Sequence, residues 1–163
     1  MIVVADTSVI LNLALVGQDE LLKVLFREVF VPTEVQSEFI RLAPSGGRFG
    51  GLGFPSWIQV RQPEAIPEMI SRNTELDQGE TDALALAFEM HADAVLIDET
   101  AGRKAAIELG LIPVGVLGIL VRAKRDGQLA AVAPVVDALL THAQFRAAPE
   151  LLREVLRMAG EAT

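Results

Sequence analysis

The chain has 163 residues, of which 51% are hydrophobic and 22% charged, a balance that supplies one buried core and excludes a disordered protein. Its formal net charge of −8 argues against a protein that grips nucleic acid over its whole surface. Because the chain has no cysteine, disulfides, zinc ribbons, iron–sulfur clusters and thiol nucleophiles are excluded, and any metal must be bound by oxygen or histidine.

The N-terminal segment resembles neither a signal peptide nor a membrane span. Met1 is followed by IVVA and then by Asp6, before the apolar core of a signal peptide is complete. The longest apolar run, LIPVGVLGILV at 111–121, is far shorter than the roughly 20 residues that cross a bilayer. We therefore expect a cytoplasmic protein without membrane contact.

Short apolar strands alternate with helical segments along most of the chain. The predicted strands are IVVA at 2–5, VFV at 29–31, WIQV at 57–60, AVLI at 94–97 and IPVGV at 112–116. Strands that are apolar on both faces and separated by helices indicate a parallel sheet covered on both sides. We predict an α/β fold, namely a three-layer α/β/α sandwich with a central, mainly parallel sheet of Rossmann-like type.

Two regions depart from this alternation. Residues 44–55 contain five glycines and two prolines, which predicts an exposed loop. Residues 128–163 form a C-terminal extension of two helical stretches, APVVDALLTHA and PELLREVLRMA. The second stretch places four apolar side chains along one stripe: Leu151, Leu152, Val155 and Met158. We predict a single domain over 1–163, with the extension packed on it or on a partner, and a homodimer.

Two acidic residues follow predicted strands. Asp6 follows IVVA, Asp98 follows AVLI, and each precedes a helical segment. Because ligands of open parallel sheets collect at the carboxyl ends of strands, we expect these two side chains to point into the same crevice. The alternative is that each aspartate only caps the following helix, since aspartate is a favoured N-cap residue.

Glu38 lies within the apolar stripe of a predicted helix, TEVQSEFIRL. The stripe has the i, i+3, i+4, i+7 spacing and contains Val35, Glu38, Phe39 and Leu42. A buried charge is costly unless it is paired or bound to metal, so Glu38 implies an arginine partner or a cation. Alternatively, Glu38 lies at the edge of the stripe and reaches solvent.

The segment LDQGETDALALAFEM predicts a further helix that carries Glu80 and Asp82. At about 100° per residue the two acids project in nearly opposite directions, so we do not expect them to be equal ligands. Periodicity places Glu80 nearer the apolar face. Glu80 also stands three residues after Asp77, the spacing of a capping box, which gives it a purely structural explanation. Asp82 is equally explained as a solvated surface residue.

The segments DTSVI, VPTEVQSE, GETDALALA and VLIDETAGRKAA occur in an order that resembles the PIN-domain family over about residues 1–125. More narrowly, they resemble the compact bacterial and archaeal members whose middle motif reads GE followed by a second acid. Members of that family are typically Mg²⁺- or Mn²⁺-dependent ribonucleases, often the toxin of a toxin–antitoxin pair. The resemblance therefore implies an RNA substrate and an antitoxin protein as a partner. A PIN-like module that binds protein or RNA without cleavage is the alternative.

Carried over by position, the resemblance implies that four acids bind metal and catalyse cleavage: Asp6, Glu38, Asp82 and Asp98. Periodicity favours Glu80 over Asp82, and we retain Glu80 as a further metal ligand. Carboxylates that cluster raise the pKa of one another unless a cation neutralises them, and Mg²⁺ prefers oxygen ligands. Thr7 and Ser8 would orient a water or touch a phosphate, or cap the next helix. Arg103 would hold the RNA backbone, or be an ordinary surface charge.

Overall fold

Five short parallel strands form one sheet in the computed structural model, which describes residues 1–42, 52–143 and 145–161. The strands are β1 (Ile2–Ala5), β2 (Glu28–Val31), β3 (Gln59–Val60), β4 (Ala94–Leu96) and β5 (Pro113–Val114). Their order is β3-β2-β1-β4-β5, and every neighbouring pair is parallel. The predicted α/β sandwich with a parallel sheet is confirmed, although β3 and β5 are shorter than the apolar runs that predict them.

Helices connect the strands, and further helices come after the last strand in the sequence. They are α1 (Thr7–Leu15), α2 (Glu20–Leu25), α3 (Thr33–Leu42), α4 (Glu68–Ser71), α5 (Gln78–Met90), α6 (Thr100–Glu108), α7 (Val116–Arg125), α8 (Ala133–His142) and α9 (Pro149–Met158). Within the described residues, each helix is too short or too polar to cross a membrane. Most of the predicted loop at 44–55 lies outside the described residues.

The sheet separates two apolar clusters, because successive residues of a strand face opposite sides. Ala5 and Leu96 face a cluster built with α1, α2, α3, α7, α8 and α9. Val4 and Ile97 face a second cluster built mainly with α5 and α6. This alternation continues beyond the strand ends, so Asp6 follows the side of Val4.

The C-terminal extension packs on the first cluster. Leu139 of α8 and Val155 of α9 are buried in it. Glu161 links the segment after α9 to α7 and α8. Its carboxylate pairs with Lys124 of α7 at 2.8 Å and accepts backbone N–H bonds from the start of α8. The predicted stripe on α9 is only partly buried. Leu151 is 49% exposed and Met158 44% exposed, because both side chains line an open cleft.

Candidate active site

The central strands β1 and β4 are neighbours, and the helices that follow them lie on opposite faces of the sheet. Ala5 is opposite Leu96, and the N–H of Asp6 donates to the Leu96 carbonyl at 2.9 Å. Asp98 stands two residues beyond Leu96. Where the connections from two neighbouring parallel strands leave on opposite faces of the sheet, a crevice for ligands opens at the carboxyl ends of those strands.

Asp6 is a buried carboxyl surrounded by other acids. It occupies the N-cap position of α1 but makes no side-chain cap hydrogen bond, so the capping alternative does not account for it. Burial raises the pKa of Asp6, the Thr7 N–H lowers it, and the charges of Asp77, Glu80 and Glu38 raise it. Together these effects give a pKa of about 7. Among the described residues, all the charged neighbours that act on Asp6 are therefore negative.

Glu80 is both a helix cap and a member of this acidic cluster. Its N–H donates to Asp77 Oδ1 at 2.8 Å, and the Asp77 N–H donates to Glu80 Oε2 at 3.3 Å. The predicted capping box is thus confirmed. Burial and the charges of Asp77, Glu99 and Glu38 together raise the pKa of Glu80 to about 7, although the Asp77 N–H lowers it. The capping hydrogen bond therefore offsets only part of the cost of ionising this carboxyl.

Asp82 has a different environment on the same helix. It is 4% exposed, and its Oδ1 accepts a hydrogen bond from Gln78 Nε2 at 2.7 Å. Because α5 is buried around most of its circumference, Asp82 is not a solvated surface residue. Its charge is not among those that raise the pKa of Asp6 or Glu80. The structure brings Glu80 towards Asp6 and Asp82 towards Gln78, and the identity of the third ligand stays a prediction.

Glu38 is half-buried on α3, between Val35 and Phe39, which are fully buried. Its charge acts on both Asp6 and Glu80. Over the described ranges Glu38 forms no ion pair, and the arginine on its own helix, Arg41, pairs instead with Glu34 at 3.0 Å. Glu38 thus belongs to the acidic cluster without an arginine partner among these residues.

Asp98, unlike Asp6, is held by hydrogen-bond donors and a cation. The Val116 N–H, in the first turn of α7, donates to its two oxygens at 3.2 and 3.4 Å. Burial raises the pKa of Asp98, whereas this N–H and Arg103 lower it. Gly115 permits the approach, because a Cβ there would lie 2.3 Å from Asp98 Oδ1. Asp98 does not cap α6, whose N-cap residue is Glu99.

Arg103 is half-buried beside Asp98. Its Nη1 donates to the carbonyl of Ile97 at 3.1 Å, which fixes the guanidinium at the end of β4. Arg103 is therefore a positioned cation rather than a mobile surface charge. Its other N–H donors have no partner within the described part of the chain.

Asp98 and Arg103 line an open cleft of about 980 Å³. Ser8 and Asn12 of α1 line the same cleft, and they lie one turn apart on one helix face. Ser8 Oγ and Asn12 Oδ1 are buried without a hydrogen-bond partner, as is Thr7 Oγ1. The predicted alternative that these hydroxyls cap α1 is thus not seen. Asn12 was missed in the sequence, where its only signal is one amide within the apolar run VILNLAL.

The acids form two groups rather than one. Asp6, Glu38 and Glu80 interact around the start of α5, whereas Asp98 contacts α7 and lines the cleft, which Asp6 does not. Strand alternation explains this separation, because Asp6 continues the side of Val4 and Asp98 the side of Leu96. Glu99 connects the groups, since its charge raises the pKa of both Glu80 and Asp98.

The donor set of the first group suits a hydrated divalent cation. Over 1–42, 52–143 and 145–161, no three histidine, aspartate or glutamate side chains converge closely enough to hold an ion together. Mg²⁺ usually keeps several waters and binds through one or two carboxylates, so such a cage is not required. Carboxylates and water are also the ligands that Mn²⁺ accepts.

Comparison with known proteins gives one family and one solved structure. The family model DUF3368, described as a PIN domain, matches residues 2–161. A PilT N-terminus domain protein from the hyperthermophilic archaeon Sulfolobus solfataricus has a similar structure, with a TM-score of 0.55 and 21% sequence identity over 76% of this chain and 93% of that chain. At this identity the likeness shows the fold alone. No curated protein matches the chain.

Proposed function

The chain belongs to the PIN-domain family, and on this premise we propose that it is a divalent-metal-dependent endoribonuclease. PIN domains are commonly nucleases. The proposal adds the metal requirement, the RNA substrate and the residues that act.

The observation that carries the proposal is a pair of buried acids without a compensating cation. Burial and neighbouring acids raise the pKa values of Asp6 and Glu80 to about 7. Neither carboxylate forms an ion pair in the described part of the chain, although a buried charge is costly unless it is paired or bound to metal. A divalent cation would remove this cost, which supports an ion as a working part of the site.

In this proposal Asp6 and Glu80 hold Mg²⁺ or Mn²⁺ together with water, and Glu38 adds negative charge beside them. Asp82 stays in the proposed ligand set through the family resemblance. When bound, the ion supplies Lewis-acid activation of a water nucleophile and neutralises charge on the phosphodiester.

The remaining residues orient the substrate. Asp98 is kept in one orientation by the Val116 N–H, and Arg103 presents its free N–H donors beside it. The hydroxyl of Ser8 and the amide of Asn12 have hydrogen-bonding capacity that a ribose or phosphate would satisfy. Thr7 retains the same proposed role.

The test is RNA cleavage with a matched set of variants. Wild-type protein is incubated with mixed RNAs and Mn²⁺ or Mg²⁺, beside an EDTA control, Asp6→Asn and Asp137→Asn. Asp137 is exposed on α8, so its substitution removes the same charge away from the site. We expect cleavage by wild type and Asp137→Asn with metal, none with EDTA, and much slower cleavage by Asp6→Asn. RNA left intact by wild type, without metal binding, would refute the proposal. Binding of RNA without cleavage would support the non-catalytic module.

We further propose a toxin role with an antitoxin protein as partner, supported by the family resemblance alone. Induced expression of the wild-type chain should arrest growth, and Asp6→Asn should not. Growth that wild-type protein leaves unaffected would count against this role.

A further inference from the structure

The cleft beside Asp98 continues away from the acidic cluster, between α7 and the C-terminal extension. We call the part lined by the half-buried Asp98 and Arg103 its inner end, and the part lined by the exposed Arg125, Arg146 and Met158 its outer part. A substrate at the inner end would therefore have a continuous surface to follow outwards.

Among the described residues, arginine is the only basic residue type that lines the cleft. Four arginines line it against three acids, although the chain as a whole has 14 basic and 22 acidic residues. Arg103 is fixed to the Ile97 carbonyl, and Arg122 pairs with Asp126 at 3.6 Å. The local excess of arginine favours an anionic ligand, because the planar guanidinium matches phosphate oxygens.

Arg125 and Arg146 are the two cleft arginines whose charge is available. Both are exposed, and neither has an ion pair or hydrogen bond within the residues that the structure describes. By contrast, Arg153 pairs with Glu150 on α9, and Arg72, which directly follows α4, pairs with Glu68 of that helix. Arg125 and Arg146 can therefore bind phosphate without first losing a partner.

Apolar side chains lie between these arginines. Leu151 and Met158 are about half exposed, and Phe145 is partly exposed beside them. Single-stranded nucleic acid binds where cationic side chains track the backbone and apolar or aromatic surfaces receive the bases. The inner end adds a further polar contact, since Asn12 is 9% exposed and its Oδ1 has no partner.

We propose that this cleft is the track for single-stranded RNA, with Arg125 and Arg146 contacting successive parts of the phosphate backbone. The inference rests on the proposed ribonuclease function and adds to it the surface that holds the strand beyond the cut.

The test compares two double variants that each remove two positive charges. Arg125→Gln/Arg146→Gln alters the cleft, and Arg72→Gln/Arg153→Gln alters exposed arginines that do not line it. Binding of a fluorescent single-stranded RNA of twelve nucleotides is measured by anisotropy in EDTA at several salt concentrations. EDTA prevents cleavage and leaves the acidic cluster equally charged in every protein.

We expect the cleft variant to bind on the order of tenfold more weakly and the control variant within about twofold of wild type. The slope of log K against log salt should become shallower by about 1.4 for the cleft variant, since each single-strand phosphate contact contributes about 0.7. With Mn²⁺, the cleft variant should show a raised KM and an unchanged kcat on the long RNA. It should cleave a dinucleotide, which is too short to reach the outer arginines, as wild type does.

Each other outcome identifies which idea fails. Cleavage by wild type with equal RNA binding by all three proteins would overturn the cleft proposal and leave the ribonuclease intact. Tight binding that depends on the two arginines, without any cleavage, would overturn the ribonuclease and keep the cleft. If light scattering shows a dimer, and Leu151→Asp makes the protein monomeric without changing its RNA binding, then a second copy occupies the cleft. That result would overturn the proposal.

Discussion

Asp6 and Asp98 end neighbouring parallel strands, yet their surroundings are opposite. Asp6 faces three other acids, whereas Asp98 faces a backbone N–H donor and Arg103. Burial raises the pKa of both carboxyls and a backbone N–H lowers each, but only at Asp98 does a cation, Arg103, lower it further. Within the described residues, the fold thus places a cation beside one acid and none beside the other.

The difference separates two roles that the sequence presents as equal. A carboxylate whose charge the protein already balances is suited to holding one orientation. A carboxylate that lacks a partner is suited to binding an added cation, and it costs stability until that cation arrives. Active sites often retain such destabilising groups because function requires them.

The largest expected effect comes from Asp6→Asn, which should change activity and stability in opposite directions. Loss of an ion worth several kcal/mol in the transition state predicts cleavage slower by on the order of 10² to 10³. The metal-free variant should be more stable than wild type by about 0.5–1 kcal/mol at pH 8, because a buried charge is gone. Urea denaturation in EDTA measures the second effect.

Asp98→Asn is the matched comparison. Burial raises the pKa of Asp98 as well, but the Val116 N–H and Arg103 counter part of that cost, so its gain in stability should be smaller than that of Asp6→Asn. A gain in Asp98→Asn as large as that in Asp6→Asn would remove the distinction between the two acids.

Glu80→Gln against Asp82→Asn decides which acid on α5 binds metal. Glu80→Gln should weaken Mn²⁺ binding roughly tenfold or more, while its amide oxygen still accepts the Asp77 N–H and preserves the cap. Asp82→Asn keeps the Gln78 contact and should change the affinity by less than about threefold. Isothermal titration with Mn²⁺ gives both values. The reverse ranking would identify Asp82 as the ligand, as the family resemblance implies.

Gly115→Ala should displace the Asp98 carboxylate while leaving Asp98 itself unchanged. The added Cβ would stand 2.3 Å from Asp98 Oδ1, so the carboxylate must move away from the α7 N-terminus. We expect a loss of about 1–3 kcal/mol in unfolding free energy, together with slower cleavage. Gly118→Ala on the same helix is the control, because its Cβ would meet only Val114 Cγ1 at 3.3 Å. Equal stability of the two variants would show that Asp98 tolerates another position.

The smallest expected effect is a pH dependence of the metal-free protein. Asp6 and Glu80 have folded pKa values of about 7 against ordinary values of 3.8 and 4.5, so the folded state retains protons that the unfolded state has released. Stability should therefore fall as pH rises from about 4 to 7, by about 1–2 kcal/mol for the two groups together. Thermal melts in EDTA measure this fall, and Mn²⁺ should reverse it at pH 8. Rising stability over that interval would contradict the acidic cluster.

Much of the fold could be predicted from local patterns. The runs IVVA and AVLI predict buried parallel strands, and both occur, because a strand buried on two faces must be apolar throughout. The capping box of Asp77 and Glu80 was also readable, since its spacing is local. The stripe on α9 was predicted less well, because periodicity identifies an apolar face but not how much of it a neighbour covers.

The contacts that the site residues make could not be predicted from local sequence patterns. Asp98 meets the N–H of Val116, 18 residues further along the chain, through a contact that Gly115 alone permits. The unpaired amide of Asn12 and the cleft that it lines depend on how α1, α7 and α9 pack together.

The sequence by itself determined the α/β class and the acids at the ends of β1 and β4, because apolar runs and strand ends are local properties. Only the tertiary structure decided that Asp6 lies among acids and Asp98 beside donors. The physical reason is that side chains alternate along a strand, so a difference of one residue in position changes the face of the sheet and every group the carboxylate meets.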